Sequence, residues 1–168
     1  LILNGDTPLL QETTVRELLR VHETAGATVT VLTAMLEDAS GYGRVVRAKT
    51  AERGVLRIVE DRDADAEEQA IREINVGTYV VDGKFLFSAL EKLTPSNAQG
   101  EYYLTDIIHL ASGQGHRVAA VTLGNPDEGL GVNTRRQLAE AELVVRKQIR
   151  DRWLDAGPTA GARFIRRV

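Results

Sequence analysis

Apolar and polar positions along the chain fall into strand-like and helix-like stretches that alternate. Residues 1–3 are apolar and give way to Asn4-Gly-Asp-Thr-Pro8, which reads as a strand running into a turn. Thr14 and Glu17 have capping-box spacing, Val15, Leu18, Leu19 and His22 follow at helical intervals, and Gly26 supplies a stop. Residues 28–36 are rich in β-branched side chains and predict a buried strand. Two short strands are expected over 44–47 and 55–60, joined by a polar turn ending at Gly54. Residues 61–68 read as an acidic loop. A strand over 73–82, a helix over 84–93, a polar loop over 94–101, a helix over 104–114 and a strand over 118–123 follow. Thr134 with Gln137 makes a second capping box, and its helix can run to Ala156 before Gly157-Pro158 stops it. At 1.5 Å per residue that helix is roughly 30 Å long.

Strands alternating with helices predict an α/β domain around a mostly parallel, mixed sheet. The expected organisation is one domain over 1–133, with 134–157 as its long last helix and 158–168 as a tail. The only methionine is Met35 and the chain opens on Leu-Ile-Leu, so it reads as part of a longer polypeptide, entered within a strand and incomplete at its N-terminus.

Composition narrows the function. No apolar run approaches the roughly 20 residues that a spanning helix needs, so membrane insertion is not expected. With no cysteine, the chain has no disulfide, thiolate nucleophile or cysteine metal site. His22, His109 and His116 lack metal-ligand spacing. A net charge of −3 argues against a nucleic-acid partner. Residues 146–168 hold seven Lys/Arg against two Asp/Glu, so +5 lies there and −8 on residues 1–145. A charge run of this kind usually makes a solvated helix face and tail.

Candidate chemistry starts at Asp6, which closes an apolar strand. Ligands of open α/β sheets gather at the carboxyl ends of strands, and a lone carboxylate there suits Mg²⁺ or simply caps a turn. Gly41-Tyr-Gly-Arg44 allows close backbone approach to a ligand, or an ordinary tight turn. Glu60 could accept hydrogen bonds from sugar hydroxyls or be a solvated surface acid. Asn75 places an amide between Ile74 and Val76, and a buried amide must find partners, in a ligand or in a neighbouring loop. Asn97-Ala-Gln-Gly-Glu-Tyr-Tyr-Leu-Thr-Asp106 crowds hydrogen-bonding side chains ahead of a helix, where they suit a sugar or cap the helix through Thr105 or Asp106. Asn133 is either a neutral metal ligand or a turn residue.

Taken in order, Asn4-Gly-Asp-Thr-Pro-Leu-Leu10, Gly41-Tyr-Gly-Arg44, Ile58-Val-Glu60 with Asp63-Ala64, Glu73-Ile-Asn75 with Gly77, the block 97–106 and Gly131-Val-Asn-Thr-Arg135 resemble one known family. It is the uridyltransferase domain of the bacterial bifunctional N-acetylglucosamine-1-phosphate uridyltransferase/glucosamine-1-phosphate acetyltransferase. The resemblance covers about residues 1–157 and implies a Rossmann-like nucleotidyltransferase domain. It implies that Asp6 and Asn133 hold a catalytic Mg²⁺. It further implies that Gly43, Glu60 and Asn75 contact the N-acetylglucosamine moiety, and that Asn4 and Gly5 lie near the nucleotide phosphates.

The implied reaction joins UTP and N-acetylglucosamine-1-phosphate into UDP-N-acetylglucosamine, a cytoplasmic precursor of the cell wall, with release of pyrophosphate. A homotrimer is implied only if the acetyltransferase half is present in the parent. The family's glycine-rich nucleotide loop and its lysine belong upstream of Leu1, Arg62 stands where a lysine is common, Val76 replaces a smaller or hydroxylated residue, and 158–168 departs from the pattern. Two alternatives stay open: transfer to another sugar phosphate, or a non-catalytic domain that binds a sugar nucleotide.

Overall fold

The computed structural model describes residues 1–48 and 54–157. The elements run α1 (Glu12–Ala25), β1 (Val29–Met35), β2 (Arg44–Arg47), β3 (Val55–Val59), α2 (Ala66–Gln69), β4 (Glu73–Val81), α3 (Gly83–Leu90), α4 (Asp106–Gly113), β5 (Val118–Thr122) and α5 (Arg135–Asp155), with a 3₁₀ turn at Pro126–Gly129. The expected strands and helices from residue 28 onward appear within a few residues of their anticipated ends. The turn expected between β2 and β3 lies largely, and the 158–168 tail wholly, outside the described residues.

The strands form one mixed sheet in the order β3-β2-β4-β1-β5. The α/β class stands, but the expected mostly parallel balance does not. Among the described residues only β1 and β5 pair parallel, while β1·β4, β2·β3 and β2·β4 are antiparallel. The parallel reading treated strand–helix alternation as a series of crossovers. The β2–β3 connection is too short for a crossover, and the four-residue α2 is too short to cover a sheet face. A parallel neighbour for β1 is reached only after α3 and α4.

Period-two alternation sorts the strand residues onto two faces. Val29, Val31, Val45, Ile58 and Tyr79 pack with Ile107, Ile108 and Ala111 of α4. Leu32, Ala34, Ile74, Val76 and Val80 pack with Leu18 of α1. The sheet is thus covered by helices on both sides, with its apolar residues buried against them.

Two local features differ from the sequence expectation. The strand expected at 1–3 is a single bridge, in which Ile2 and Tyr79 exchange backbone hydrogen bonds of 2.8 and 3.0 Å. Helix α1 begins at Glu12, with Gln11 as N-cap and no side-chain cap of its own, so Thr14 does not cap it. Asp65 and Glu68 do form a capping box within the stretch expected as loop.

The β1·β4 register jumps between Val31↔Tyr79 and Thr33↔Asn75, so residues 76–78 face Leu32 alone. Inserting two extra residues bulges β4 without moving its side chains to the opposite faces, because the side-chain period is two. Gly77, at the centre of this bulge, has φ +81°, and a Cβ there would stand 2.0 Å from Asn4 Nδ2. Gly77→Ala is therefore expected to destabilise the protein by about 2–3 kcal/mol, from left-handed backbone strain plus displacement of Asn4. Urea unfolding measures this, and a loss under about 0.5 kcal/mol would contradict it.

Candidate active site

The bridge to Tyr79 carries the N-terminal segment across β4 and sets the Asn4–Asp6 turn at the mouth of an open cleft of about 370 Å³. Asn4, Asp6, Gly43, Glu60, Asn75 and Asn133 all line this cleft. Gly5 is not among its lining residues.

The Val132 amide donates to the Asp6 carbonyl at 2.7 Å and joins the first turn to the segment before α5. Between them stands Gly131. A Cβ there would lie 3.4 Å from Asn133 Nδ2 and 3.5 Å from Asp6 Oδ2. The carboxylate and the amide therefore flank one small space that a larger residue would fill. Asn133 sits just before the Thr134 N-cap, whose hydroxyl accepts the Gln137 amide at 3.2 Å. The reciprocal half of the expected capping box falls one residue early, because Gln137 Oε1 accepts the amide of Asn133 at 2.9 Å. That bond fixes the Asn133 backbone and leaves its side chain free to face the cleft.

Gly43, just before β2, and Glu60, just after β3, meet beside the cleft. A Cβ on Gly43 would stand 2.9 Å from Ile58 Cγ2 and 3.3 Å from Glu60 Oε2, so only glycine lets the carboxylate lie against the backbone. Thr105 donates to Glu60 Oε1 at 2.9 Å. The hydroxyl expected to cap α4 is used here instead, and α4 has no side-chain cap from Thr105. Asn75 is held by its own strand: Nδ2 donates to the Tyr79 hydroxyl at 2.7 Å and Oδ1 accepts the Gly77 amide at 3.0 Å. One Nδ2 hydrogen remains for another acceptor. The buried Arg44 pairs with Asp61 at 2.9 Å and also donates to the Tyr42 carbonyl, which ties the Gly41–Gly43 turn to the segment after Glu60.

The 97–106 block builds the wall beside Glu60. Asn97 Oδ1 accepts the amides of Gln99 and Glu101, each at 3.1 Å, and Gln99 Nε2 donates to the Tyr103 hydroxyl at 2.8 Å. Asp63 receives the Ala98 amide at 2.8 Å, and Arg62 reaches Gln99 at 2.9 Å. Tyr102, Tyr103 and Thr105 line the cleft. The sequence leaves this block open between a sugar and a helix cap, and names Thr105 only as a cap, since the Thr105–Glu60 contact joins residues 45 positions apart.

Burial holds the Glu60 carboxyl above its ordinary range, and Asp63, Asp106 and Asp61 push it further up, while the Thr105 hydrogen bond opposes the rise. Among the described residues no three His, Cys, Asp or Glu side chains form a metal cluster, so Asp6 is a lone carboxylate paired with an amide. That donor set suits a hard cation completed by water and phosphate oxygens, and not a protein-only cage. Among the described residues no helix is long and apolar enough to cross a membrane.

A turn carrying a lone aspartate and a glutamate with a polar wall line one cleft of a sheet covered by helices on both faces. Comparison gives the class: the nucleotidyl transferase profile matches residues 1–161, and the chain belongs to that family. It is 50% identical over 159 residues to the bifunctional protein GlmU of Heliobacterium modesticaldum, and 48% identical to the protein of that name from Exiguobacterium sibiricum. These alignments take in 95% of this chain but only 34% and 35% of those proteins, so the chain spans about a third of their length. The fold also matches a crystal structure of UDP-glucose pyrophosphorylase complexed with UDP-glucose, with a TM-score of 0.62 at 17% identity over 88% of this chain and 53% of that one. A putative glucose-1-phosphate thymidylyltransferase from Bacillus anthracis matches with a TM-score of 0.55 at 20% identity, over 79% of this chain and 49% of that one.

The raised Glu60 pKa has a consequence for stability. The folded state binds a proton that the unfolded state has already released, so Glu60 costs stability as pH rises from the ordinary glutamate range through the raised value. Glu60→Gln is expected to gain stability relative to the unaltered chain between pH 4 and pH 7. Urea midpoints at both values measure the difference, and a difference independent of pH would contradict it.

Proposed function

We propose that the chain carries the uridylyl-transfer site for making UDP-N-acetylglucosamine from UTP and N-acetylglucosamine-1-phosphate. One observation carries this reading: the Asp6–Gly131–Asn133 space and the Gly43–Glu60–Asn75 group line a single cleft. A sugar nucleotide has the same two-part chemistry, with phosphates beside one end and a hydroxyl-rich ring at the other. The likeness to proteins named GlmU supports this particular sugar and nucleotide.

In this reading Asp6 and Asn133 would hold Mg²⁺, with the carboxylate and the side-chain amide as oxygen donors. Mg²⁺ supplies charge neutralisation for the phosphates and fixes their orientation. Asn4 and Gly5, on the same turn as Asp6, lie beside the nucleotide phosphates. Glu60 accepts from ring hydroxyls through Oε2, the oxygen Thr105 leaves unused. Asn75 offers its free Nδ2 hydrogen, and Gly43 keeps the ring close to the backbone. A phosphate oxygen of the sugar-1-phosphate attacks the α-phosphorus of UTP. The bond to the β-phosphate breaks, and pyrophosphate leaves with its electron pair. No covalent enzyme intermediate is needed, and rate comes from positioning and charge stabilisation.

The same reading places the reaction in the cytoplasm, where UTP is made, and allows a homotrimer only through an acetyltransferase half. Residues 1–157 are assigned to the transferase domain, α5 included.

Asp6→Ala is expected to lower pyrophosphate release by roughly 10³-fold, the several kcal/mol that metal-assisted charge stabilisation contributes. Asn133→Ala is expected to lower it by about 10- to 100-fold, with the loss partly recovered at high Mg²⁺. Both are measured in the natural polypeptide with UTP and N-acetylglucosamine-1-phosphate. Full activity of Asp6→Ala would overturn the metal assignment. UDP-N-acetylglucosamine binding without any turnover of UTP would favour a binding domain, and a preference for another sugar-1-phosphate would redirect the specificity.

A further inference from the structure

Helix α1 is capped from 117 residues away. Its N-cap, Gln11, makes no side-chain cap bond. Instead Glu128 Oε2 accepts the Gln11 amide at 3.3 Å and the Thr14 hydroxyl at 2.6 Å. A carboxylate at a helix N-terminus satisfies orphan amides and meets the positive end of the dipole. In most proteins such a cap comes from the adjoining residue, and the origin of this one gives it a second consequence.

Glu128 stands in the 3₁₀ turn five residues before Asn133, and Thr14 lies in the first turn of α1, eight residues after Asp6. The two segments bearing Asp6 and Asn133 are thus tied twice: by Val132 N to Asp6 O at 2.7 Å beside the pair, and by Glu128 to α1 beyond it. The turn itself is seated on the core. A Cβ on Gly129 would lie 3.0 Å from both Leu123 Cδ1 and Val76 Cγ2, so the turn has little room to shift sideways. Freed from α1, the 126–133 segment keeps the seat of Gly129 and the Val132 bond, but loses the tie that holds it to the chain beyond Asp6.

We propose that Glu128, through Thr14 and Gln11, is a positioning residue that sets the separation of Asn133 from Asp6. This rests on the reading of that pair as the metal ligands. A purely structural cap would change stability alone, whereas a clasp changes the order of the Val132 amide and the affinity of the pair for a divalent cation.

The test uses the full chain, Mn²⁺ as probe by electron paramagnetic resonance with UDP-N-acetylglucosamine present, and hydrogen exchange at the Val132 amide. Glu128→Ala is expected to weaken Mn²⁺ binding by about tenfold, the usual scale for losing an outer-shell partner, and to speed Val132 exchange. Thr14→Val is expected to act in the same direction, and Thr14→Ser to restore both readouts. Asp65→Ala, which removes the cap of α2 away from the cleft, is expected to leave both unchanged. Val132 exchange unaltered in Glu128→Ala would overturn the clasp. Faster exchange with unaltered Mn²⁺ affinity would overturn its positioning role. If the unaltered chain binds no Mn²⁺, the ligand reading of Asp6 and Asn133 falls and takes the positioning role with it, while the exchange data still decide the clasp.

Discussion

Tyr79 exchanges two backbone hydrogen bonds with Ile2 and a third, through its hydroxyl, with Asn75. The cleft depends on that residue. Its backbone draws the N-terminal segment across β4 and so delivers Asn4 and Asp6. Its side chain is buried in the core beneath α3 and α4, which keeps the hydroxyl neutral and aimed at one amide. The β4 bulge makes this possible. Without residues 76–78 looping out, Asn75 and Tyr79 would lie four regular strand positions apart, too far for a direct bond.

Around this strand the two groups that line the cleft are built by different physics. The Asp6 group is made by backbone: a bridge, the Val132–Asp6 bond and a glycine that leaves space between a carboxylate and an amide. The Glu60 group is made by side chains, with Thr105 holding a carboxylate that burial and three neighbouring acids discourage from ionising. A carboxylate in that setting gains from any ligand that donates hydrogen bonds to it, because the donors replace lost solvation. Sugar hydroxyls are such donors.

Much of the framework was legible in the sequence because it is written in short periods. The β-branched run of β1, the alternation in β4, the Gly26 stop and the long last helix need only neighbours in the chain. The family resemblance named seven candidate residues, and six of them line one cleft. What was not legible involves partners far apart in sequence. Thr14 looked like a cap but serves Glu128, and Thr105 looked like a cap but serves Glu60. In each case a local hydrogen bond competed with a tertiary one, and spacing alone cannot say which wins. Sheet direction failed for a related reason, since strand–helix alternation does not reveal which strand is inserted between which. The Asp65–Glu68 box, by contrast, has its spacing in the sequence, inside an acidic stretch that reads as loop.

The central claim is that one cleft holds a sugar nucleotide with its phosphates at Asp6 and Asn133 and its sugar at Gly43, Glu60 and Asn75. Titration of isotope-labelled chain with UDP-N-acetylglucosamine and a trace of Mn²⁺, followed by NMR, tests it most directly. The account predicts strong paramagnetic broadening at Gly131 and the Asn133 side-chain amide. It also predicts ligand-induced shifts, with weaker broadening, at Gly43 and the Asn75 amide. Broadening centred elsewhere, or shifts that spare Gly43 and Asn75, would contradict it.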